Sequence, residues 1–365
     1  MKIQALELLN FRNYERAGIS LHPGTNVFYG DNAQGKTNLL EALYLAATAK
    51  SHRGAKDREM IRFGEEEAHI KVLFEKKDIS ERLDMHLKKN HPKGVARNAV
   101  PIRRITDLFG ILHVVFFSPE DLSIVRSGPG ERRRFLDLEL CQLDKIYARN
   151  LVSYNKLLSQ KNKLLKDNLP DGEKRALLEV FNEQMVSYGI PILQRREAFL
   201  ESMNDVVSVF HSELTDHKED LSLSYHKSVK EKEFADTLAA GMEKELIQRM
   251  SLFGPHRDDF RFLIGGENVR IYGSQGQKRS AALSLKLGEI QLVKEAAGEE
   301  PVLLLDDVLS ELDSLRQNQL LERIGSLQTI ITCTGLKEME ENRFHIDQLF
   351  TVKEGKIKCH SQKKI

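Results

Sequence analysis

The segment Gly30-Asp31-Asn32-Ala33-Gln34-Gly35-Lys36-Thr37 constrains this chain more than any other. Its two glycines, lysine and threonine have the spacing of a phosphate-binding P-loop. Glycine permits positive backbone dihedrals, so successive N–H groups can curl around an anion. The helix that follows aims its positive dipole end at the same point. In that geometry Lys36 reaches the β- and γ-phosphates of a nucleoside triphosphate, and Thr37 offers its hydroxyl to Mg2+. The flanks agree, because Val27-Phe28-Tyr29 reads as a short buried strand entering the loop. Leu39, Leu40, Leu43, Ala46 and Ala47 form the apolar stripe of a helix leaving it. The alternative is a glycine turn that merely caps a helix.

A second signal lies near the C-terminus, where Val302-Leu303-Leu304-Leu305 runs into Asp306 and Asp307. A P-loop enzyme needs a carboxylate at the C-terminal end of a buried parallel strand, where it can hold Mg2+ opposite the lysine. Asp306 is the metal-site candidate, and Asp307 is placed to polarise an attacking water. Alone, the pair could be a helix cap or a turn. A third signal is Ser274-Gln275-Gly276-Gln277-Lys278-Arg279, ahead of a helical run through Ala281, Leu283, Leu285, Leu287 and Leu292. Ser274 can cap that helix and donate its hydroxyl, and Gly276 lets backbone approach an anion. A simple helix cap is the bland reading here too.

The order of these signals resembles the Walker A, signature, Walker B and D-loop (Ser310-Glu311-Leu312-Asp313) of ABC-type ATPase heads. By pattern the chain is nearer to chromosome-maintenance and double-strand-break repair ATPases than to transporters. Four segments resemble the RecF family of bacterial recombination mediators: Leu9-Asn10-Phe11-Arg12-Asn13-Tyr14, Phe117-Ser118-Pro119-Glu120-Asp121-Leu122, Gly254-Pro255-His256-Arg257-Asp258-Asp259, and Ser274-Gln275-Gly276-Gln277. The resemblance implies ATP bound between two subunits, with the Walker A of one facing the signature of the other. It implies a homodimer closed on DNA by nucleotide and released by hydrolysis. Partners implied are duplex and gapped DNA or single-strand/duplex junctions, RecR, and indirectly RecO and RecA, in repair, replication recovery and SOS induction. Arg12 and Asn13 match the family's N-terminal nucleotide contacts. Ser274 and Gly276 match its grip on the γ-phosphate in trans. Glu120 lies where many ABC heads have a Q-loop glutamine, without a one-to-one assignment. Two departures imply slow hydrolysis that acts as a switch: Asp307 replaces the usual glutamate, and Thr332 or Thr334 stands where a switch histidine is common.

Strand patterns include the opening segment to Leu9, Ile111 to Phe117, Val302 to Leu305 and Thr329 to Thr332. Between about 131 and 216 the spacing turns helical. Tyr147, Leu151, Tyr154, Leu158 and Leu165 share one face, as do Phe199, Met203, Val207, Phe210 and Leu214. Asn168-Leu169-Pro170-Asp171-Gly172 breaks these helices, and fewer than three heptads precede the break, so a short helical hairpin is expected over a coiled coil. Strand patterning returns at Leu221, Leu223 and Tyr225, and at Phe260, Phe262 and Ile264 before a Gly265-Gly266 turn. The expected fold is α/β: an ABC-type P-loop ATPase head of mixed sheets with flanking helices, interrupted by a mainly helical lobe. The head is expected at 1–120 and 221–365, the lobe at 121–220.

The 55 basic and 54 acidic residues nearly cancel, so attraction to nucleic acid must come from local patches. Arg132-Arg133-Arg134, Arg103-Arg104 and the string Lys156, Lys161, Lys163 and Lys166 are the best of these, although each could be a solvated face. Aromatic residues are not interleaved with them, which favours backbone tracking of a duplex over base stacking. Cys141, Cys333 and Cys359 are too few and scattered for a disulfide framework, which fits a reducing compartment. The N-terminus lacks the order of a signal peptide and no apolar run spans a bilayer, so the expectation is cytoplasmic with no membrane contact. Alternatives are the nucleotide-binding subunit of an ABC transporter, a structural chromosome organiser, for which the insertion is too short to form long arms, and a small-molecule kinase, for which no acceptor pocket is evident.

Overall fold

A computed structural model of the chain describes residues 1–309, 312–325, 327–335 and 345–360, and structural statements refer to these. Contacts divide the chain into two compact units, Met1–Asp121 with Glu289–Ile365 and Leu122–Gly288. The strands are β1 (Lys2–Phe11), β2 (Tyr14–Ser20), β3 (Thr25–Tyr29), β4 (Glu67–Lys76), β5 (Ile79–Lys88), β6 (Gly94–Arg97), β7 (Val100–Pro101), β8 (Val114–Phe117), β9 (Leu221–His226), β10 (Asp259–Ile264), β11 (Glu267–Asn268), β12 (Val302–Asp306), β13 (Thr329–Cys333), β14 (Gln348–Lys353) and β15 (Lys356–His360). The α-helices are α1 (Lys36–Thr48), α2 (Asp57–Met60), α3 (Leu122–Arg126), α4 (Pro129–Leu143), α5 (Lys145–Leu164), α6 (Asp171–Leu214), α7 (Phe234–Gln248), α8 (Val269–Tyr272), α9 (Gln275–Ala297) and α10 (Ser314–Ile324).

The first unit has two sheets. One is antiparallel, in the order β2-β1-β4-β5-β6-β7. Its strands alternate as a half-buried sheet must: Ala68, Ile70, Val72 and Phe74 of β4 face the core, and so do Leu83, Met85 and Leu87 of β5. The other has the order β15-β14-β3-β13-β12-β8, with β14, β3, β13, β12 and β8 parallel and β15 antiparallel at the edge. Every residue of β12 and β13 is buried. That matches their near-continuous apolar sequence, since a parallel sheet is covered on both faces. Helix α1 packs against β4 and β5 of the first sheet and β12 and β13 of the second. It is therefore buried nearly all round, from Leu39 through Thr48.

In the second unit α5 and α6 form the expected hairpin, with the break between Leu164 and Asp171. Tyr147, Leu151 and Tyr154 are buried on α5, and Phe199, Met203 and Val207 on α6. Helix α6 also packs on β9 of a small sheet ordered β11-β10-β9, whose hairpin turns at Gly265-Gly266. The contact boundary falls at Gly288, so the strands from Leu221 to Ile264 and the signature segment belong to the unit that holds α5 and α6. The sequence instead assigns those strands to the head, because strand texture returns at 221.

Candidate nucleotide site

Parallel register builds the site. Asp306 of β12 is level with Thr332 of β13, and Thr332 is level with Phe28 of β3, one residue before Tyr29 and two before the loop. All three strands thus deliver their C-terminal ends to one edge, where α/β sheets bind ligands. Thr37 Oγ1 donates to Asp306 Oδ1 at 2.8 Å, and Thr332 Oγ1 donates to the same oxygen at 2.7 Å. Both donors are neutral hydroxyls. Thr332 is therefore a buried support for Asp306, whereas Thr334 lies exposed beyond the strand. Asp307 follows with a left-handed φ of 54°, and its N–H reaches the Thr332 carbonyl at 3.1 Å and hydroxyl at 3.2 Å.

The loop is wound as an anion cradle. Gly30 and Gly35 have φ of 155° and 112°, and Ala33 is left-handed at 64°. A side chain at Gly30 would run into the Val352 carbonyl, so close approach as well as φ demands glycine there, while at Gly35 the left-handed φ does. Lys36 is 7% exposed, and its Nζ donates to the carbonyls of Gly30 at 2.5 Å and Asp31 at 2.8 Å. Its charge thus meets carbonyl dipoles of the loop. Asp31, Asn32 and Ala33 are exposed at the rim, with Gln34 half-buried behind them.

Arg12 and Asn13 are spent on the loop's support. Arg12 grips Glu41 of α1 through Nε and Nη2, both at 2.7 Å, and donates to the Glu59 carbonyl at 2.8 Å. Burial pushes the Glu41 carboxyl up, but hydrogen bonds from Arg12 and Ser51 and the guanidinium charge prevail and hold it below the usual range. Asn13 Nδ2 donates to the Gln34 carbonyl at 2.9 Å, and its Oδ1 accepts from Asn38 at 2.8 Å. Tyr14 adds a bond from its hydroxyl to the Gly35 carbonyl at 3.0 Å. Glu41 was invisible to motif reading, although a glutamate inside an otherwise apolar helix face signals a buried partner.

The signature segment forms a reciprocal capping box at the start of α9. Gln277 N–H donates to Ser274 Oγ at 3.1 Å, and Ser274 N–H donates to Gln277 Oε1 at 2.8 Å. Only Ser274 Oγ comes within 4 Å of a side-chain position at Gly276, so this backbone is open to approach. Two residues absent from the sequence reading hold the turn. Gln277 Nε2 donates to Glu219 Oε1 at 3.0 Å, and Glu219 Oε2 lies 3.1 Å from His211 Nε2. The other His211 nitrogen is 3.1 Å from Ser284 Oγ, two turns along α9. Glu219 thereby fixes which way the Gln277 amide points.

Other candidates fare differently. Glu120 is exposed just past β8, the neighbour of β12. Ser310 and Glu311 of the D-loop segment lie outside the described residues, and Asp313 caps α10 by accepting from Arg316 N–H. Two basic clusters need correction. Arg132 is 3% exposed and binds Asp259 and two backbone carbonyls, and Lys161 is fully buried against Glu245 at 2.6 Å. Neither can touch DNA from there. Arg103, Arg104, Lys156, Lys163 and Lys166 are exposed.

Gly254-Pro255-His256-Arg257-Asp258-Asp259 is a structural centre. Asp258 is completely buried and accepts from Ser228 N–H at 2.8 Å, the Tyr225 hydroxyl at 2.6 Å and Arg196 at 3.3 Å. Arg196 also holds the Pro255 carbonyl, Asp137 and the Tyr147 hydroxyl. His256 is locked between the Tyr154 hydroxyl at 2.7 Å and the Ser251 carbonyl at 3.3 Å, an arrangement with no catalytic-triad geometry.

A P-loop at the end of β3, an acidic strand end two strands away and a capped signature helix define an ABC-type ATPase head. The family model described as RecF/RecN/SMC N terminal domain matches residues 2–358. A protein from Lachnoclostridium phytofermentans named DNA replication and repair protein RecF is 54% identical over 360 residues, covering 98% of this chain and 99% of its own. One of the same name from Agathobacter rectalis is 53% identical over 357 residues, with 98% and 99% covered. The solved structure described as the recombination mediator protein RecF-ATP in the RecFOR pathway superposes with a TM-score of 0.92 at 35% identity, covering 99% of this chain and 98% of that one. An SMC head domain from Pyrococcus furiosus, at 15% identity and a TM-score of 0.57, shares the fold. The chain belongs to the RecF family. The transporter and chromosome-organiser alternatives are not favoured. Among the described residues no helix is long and apolar enough to cross a membrane.

Proposed function

We propose that this chain is an ATP-dependent, DNA-binding recombination mediator that closes as a homodimer on DNA and helps load RecA at gaps, with RecR and indirectly RecO as partners. The observation that carries the reading is the row Lys36, Thr37, Asp306, in which a P-loop hydroxyl already bonds the strand-end carboxylate across β13. Full-length similarity to proteins named for DNA replication and repair supports the setting.

In this reading the loop from Gly30 to Gly35 wraps the phosphates with backbone N–H groups. Lys36 exchanges its loop carbonyls for phosphate oxygens. Thr37 and Asp306 offer the hard oxygen donors that suit Mg2+. That ion, when bound, neutralises phosphate charge. Thr332 keeps Asp306 oriented, and Asp307 orients the water. A shorter side chain than glutamate at that position favours slow turnover, fit for timing. Arg12 and Asn13 contact the nucleotide from beside the loop they brace. Ser274 and Gly276 reach the γ-phosphate of a second copy. The head comprises 1–120 and 221–365 as the working ATPase, and 121–220 is an inserted lobe. Function in the cytoplasm follows from this role.

Fluorescence anisotropy of labelled duplex and gapped DNA, titrated with Asp307→Asn protein with and without ATP at two salt concentrations, tests the proposal. Asp307→Asn should bind ATP and hold the closed state, so ATP should tighten DNA binding and salt should weaken it. Ser274→Arg should bind ATP and fail to dimerise. Absence of DNA binding under every nucleotide condition would sink the clamp reading.

A further inference from the structure

The outward face of the antiparallel sheet carries a cluster that plays no part in the nucleotide site. In the β4–β5 ladder His69 stands directly opposite His86, and Glu67 is two residues before His69. The two-residue period of a strand therefore puts all three on one face, and the alternating core residues Ala68, Ile70, Met85 and Leu87 fix that face as the outer one. The two imidazoles stack with centroids 4.3 Å apart and planes 6° from parallel. The Glu67 carboxylate spans them: Oε2 lies 3.1 Å from His86 Nε2, and Oε1 lies 3.7 Å from His69 Nε2.

Neighbouring acids on the same face close on permanent cations, Glu7 on Lys71 at 2.9 Å and Asp84 on Arg82 at 2.8 Å. Glu67 instead turns both oxygens to imidazoles, whose nitrogens can exchange a proton for a metal. The three donor atoms all lie within 4.8 Å of one another. Tetrahedral coordination at the usual Zn–N and Zn–O lengths separates donors by about 3.3 Å. Small side-chain rotations close that difference, and all three side chains are 40 to 47% exposed, free enough to make them. Their Cα positions are fixed by a central ladder, which makes a more exact site than a loop does.

We propose that Glu67, His69 and His86 bind one divalent transition-metal ion of the Zn2+ class, at a site separate from the nucleotide. Two imidazoles and one carboxylate suit Zn2+, Co2+, Ni2+ or Cu2+ and select against Mg2+, which prefers oxygen. Both histidines ligate through Nε2, which leaves Nδ1 to carry the imidazole proton in the bound state. Three protein donors leave at least one position for water or a donor from another molecule.

The test uses full-length protein treated with chelator, then titrated with Co2+ in the absence of nucleotide and followed by visible absorption. The expected result is one Co2+ per chain with ligand-field bands, displacement by Zn2+, and no thiolate charge-transfer band of the kind Cys359 would give. His69→Ala and His86→Ala should each weaken binding by about 100-fold or more, and the isosteric Glu67→Gln should weaken it by about tenfold. Circular dichroism and ATP binding should match the parent, because these side chains lie outside the core and the nucleotide site. Equal Co2+ binding by the parent and a His69→Ala/His86→Ala double variant would overturn the site, as would thiolate bands or no binding at millimolar Co2+. In each case the face is a stacked histidine pair closed by a carboxylate.

Discussion

Two buried polar constellations, one in each unit, coincide with sequence motifs. In the second unit Arg196, Asp137 and Asp258 close on one another, with Tyr147, Tyr225 and a carbonyl completing the set. Charge is neutralised inside the protein. In the first unit Lys36 and Asp306 face neutral groups: Lys36 donates to two carbonyls and Asp306 accepts from two hydroxyls. The lysine and the aspartate keep their charge for something else. A motif whose charges are matched internally maintains the fold, and one whose charges are merely oriented is prepared for a ligand.

Removing one partner from the closed network should have the largest effect. Arg196→Met leaves Asp258 and Asp137 without their guanidinium and should destabilise the protein by about 3–5 kcal/mol, read as a fall in the urea midpoint. A loss under about 1 kcal/mol would break the distinction, since the network would then be no more closed than the loop. The same unit supplies a pH signature. Burial, aided by the charges of Arg257, Lys161 and Arg133, lowers the His256 pKa from 6.5 to about 4. Above pH 6.5 neither state binds this proton and stability is complete. As pH falls from 6.5 towards 4 the unfolded chain takes the proton first, so up to about 3 kcal/mol is lost. His256→Gln should remove that portion of the slope in pH-dependent melts, and an unchanged slope would show that the ring is not held neutral.

The open site should respond in the opposite way. Lys36→Ala should weaken ATP binding by about 100-fold, or about 2.8 kcal/mol. In the absence of nucleotide its melting should match the parent or rise, because the substitution removes a buried charge that has no carboxylate partner among the described residues. Titration calorimetry and nucleotide-free melts check the two halves separately. A large loss of nucleotide-free stability would move Lys36 into the same category as Arg196.

Local patterns made the essentials of the nucleotide site legible in the sequence. Loop, helix stripe and strand-plus-aspartate are each written within eight residues or so, and the parallel sheet that brings Asp306 to Thr37 follows from the order of those pieces. Roles set by distant pairing were not legible. Arg132 and Lys161 looked like surface charge because their partners, Asp259 and Glu245, lie about 127 and 84 positions away, and no window holds both ends. The contact boundary at Gly288 was not legible for a related reason. Strand texture at 221 marks a change of secondary structure, and only packing of β9 on α6 reveals that the same unit continues. The alternation of β4 and β5 was there to be read, and with it the histidine pair on their outer face.

Glu219 tests the comparison where it is most finely balanced, since it is an acid that touches the signature turn without belonging to any motif. One oxygen accepts from Gln277 and the other meets His211, so the carboxylate resembles the closed network in being satisfied, yet its partner Gln277 is half of the cap that holds Ser274. If Glu219 is a positioning residue, Glu219→Ala frees the Gln277 amide to turn and loosens Ser274, while ATP binding to a single copy is untouched. The expected cost is about 1 kcal/mol, seen as about fivefold weaker ATP-driven dimerisation with the ATP dissociation constant unchanged. A Glu219→Gln variant keeps an acceptor for Gln277 and should recover most of the loss. If instead both substitutions lower stability and leave dimerisation intact, Glu219 belongs with Asp258 among the residues that maintain the fold, and the cap at Ser274 stands without it.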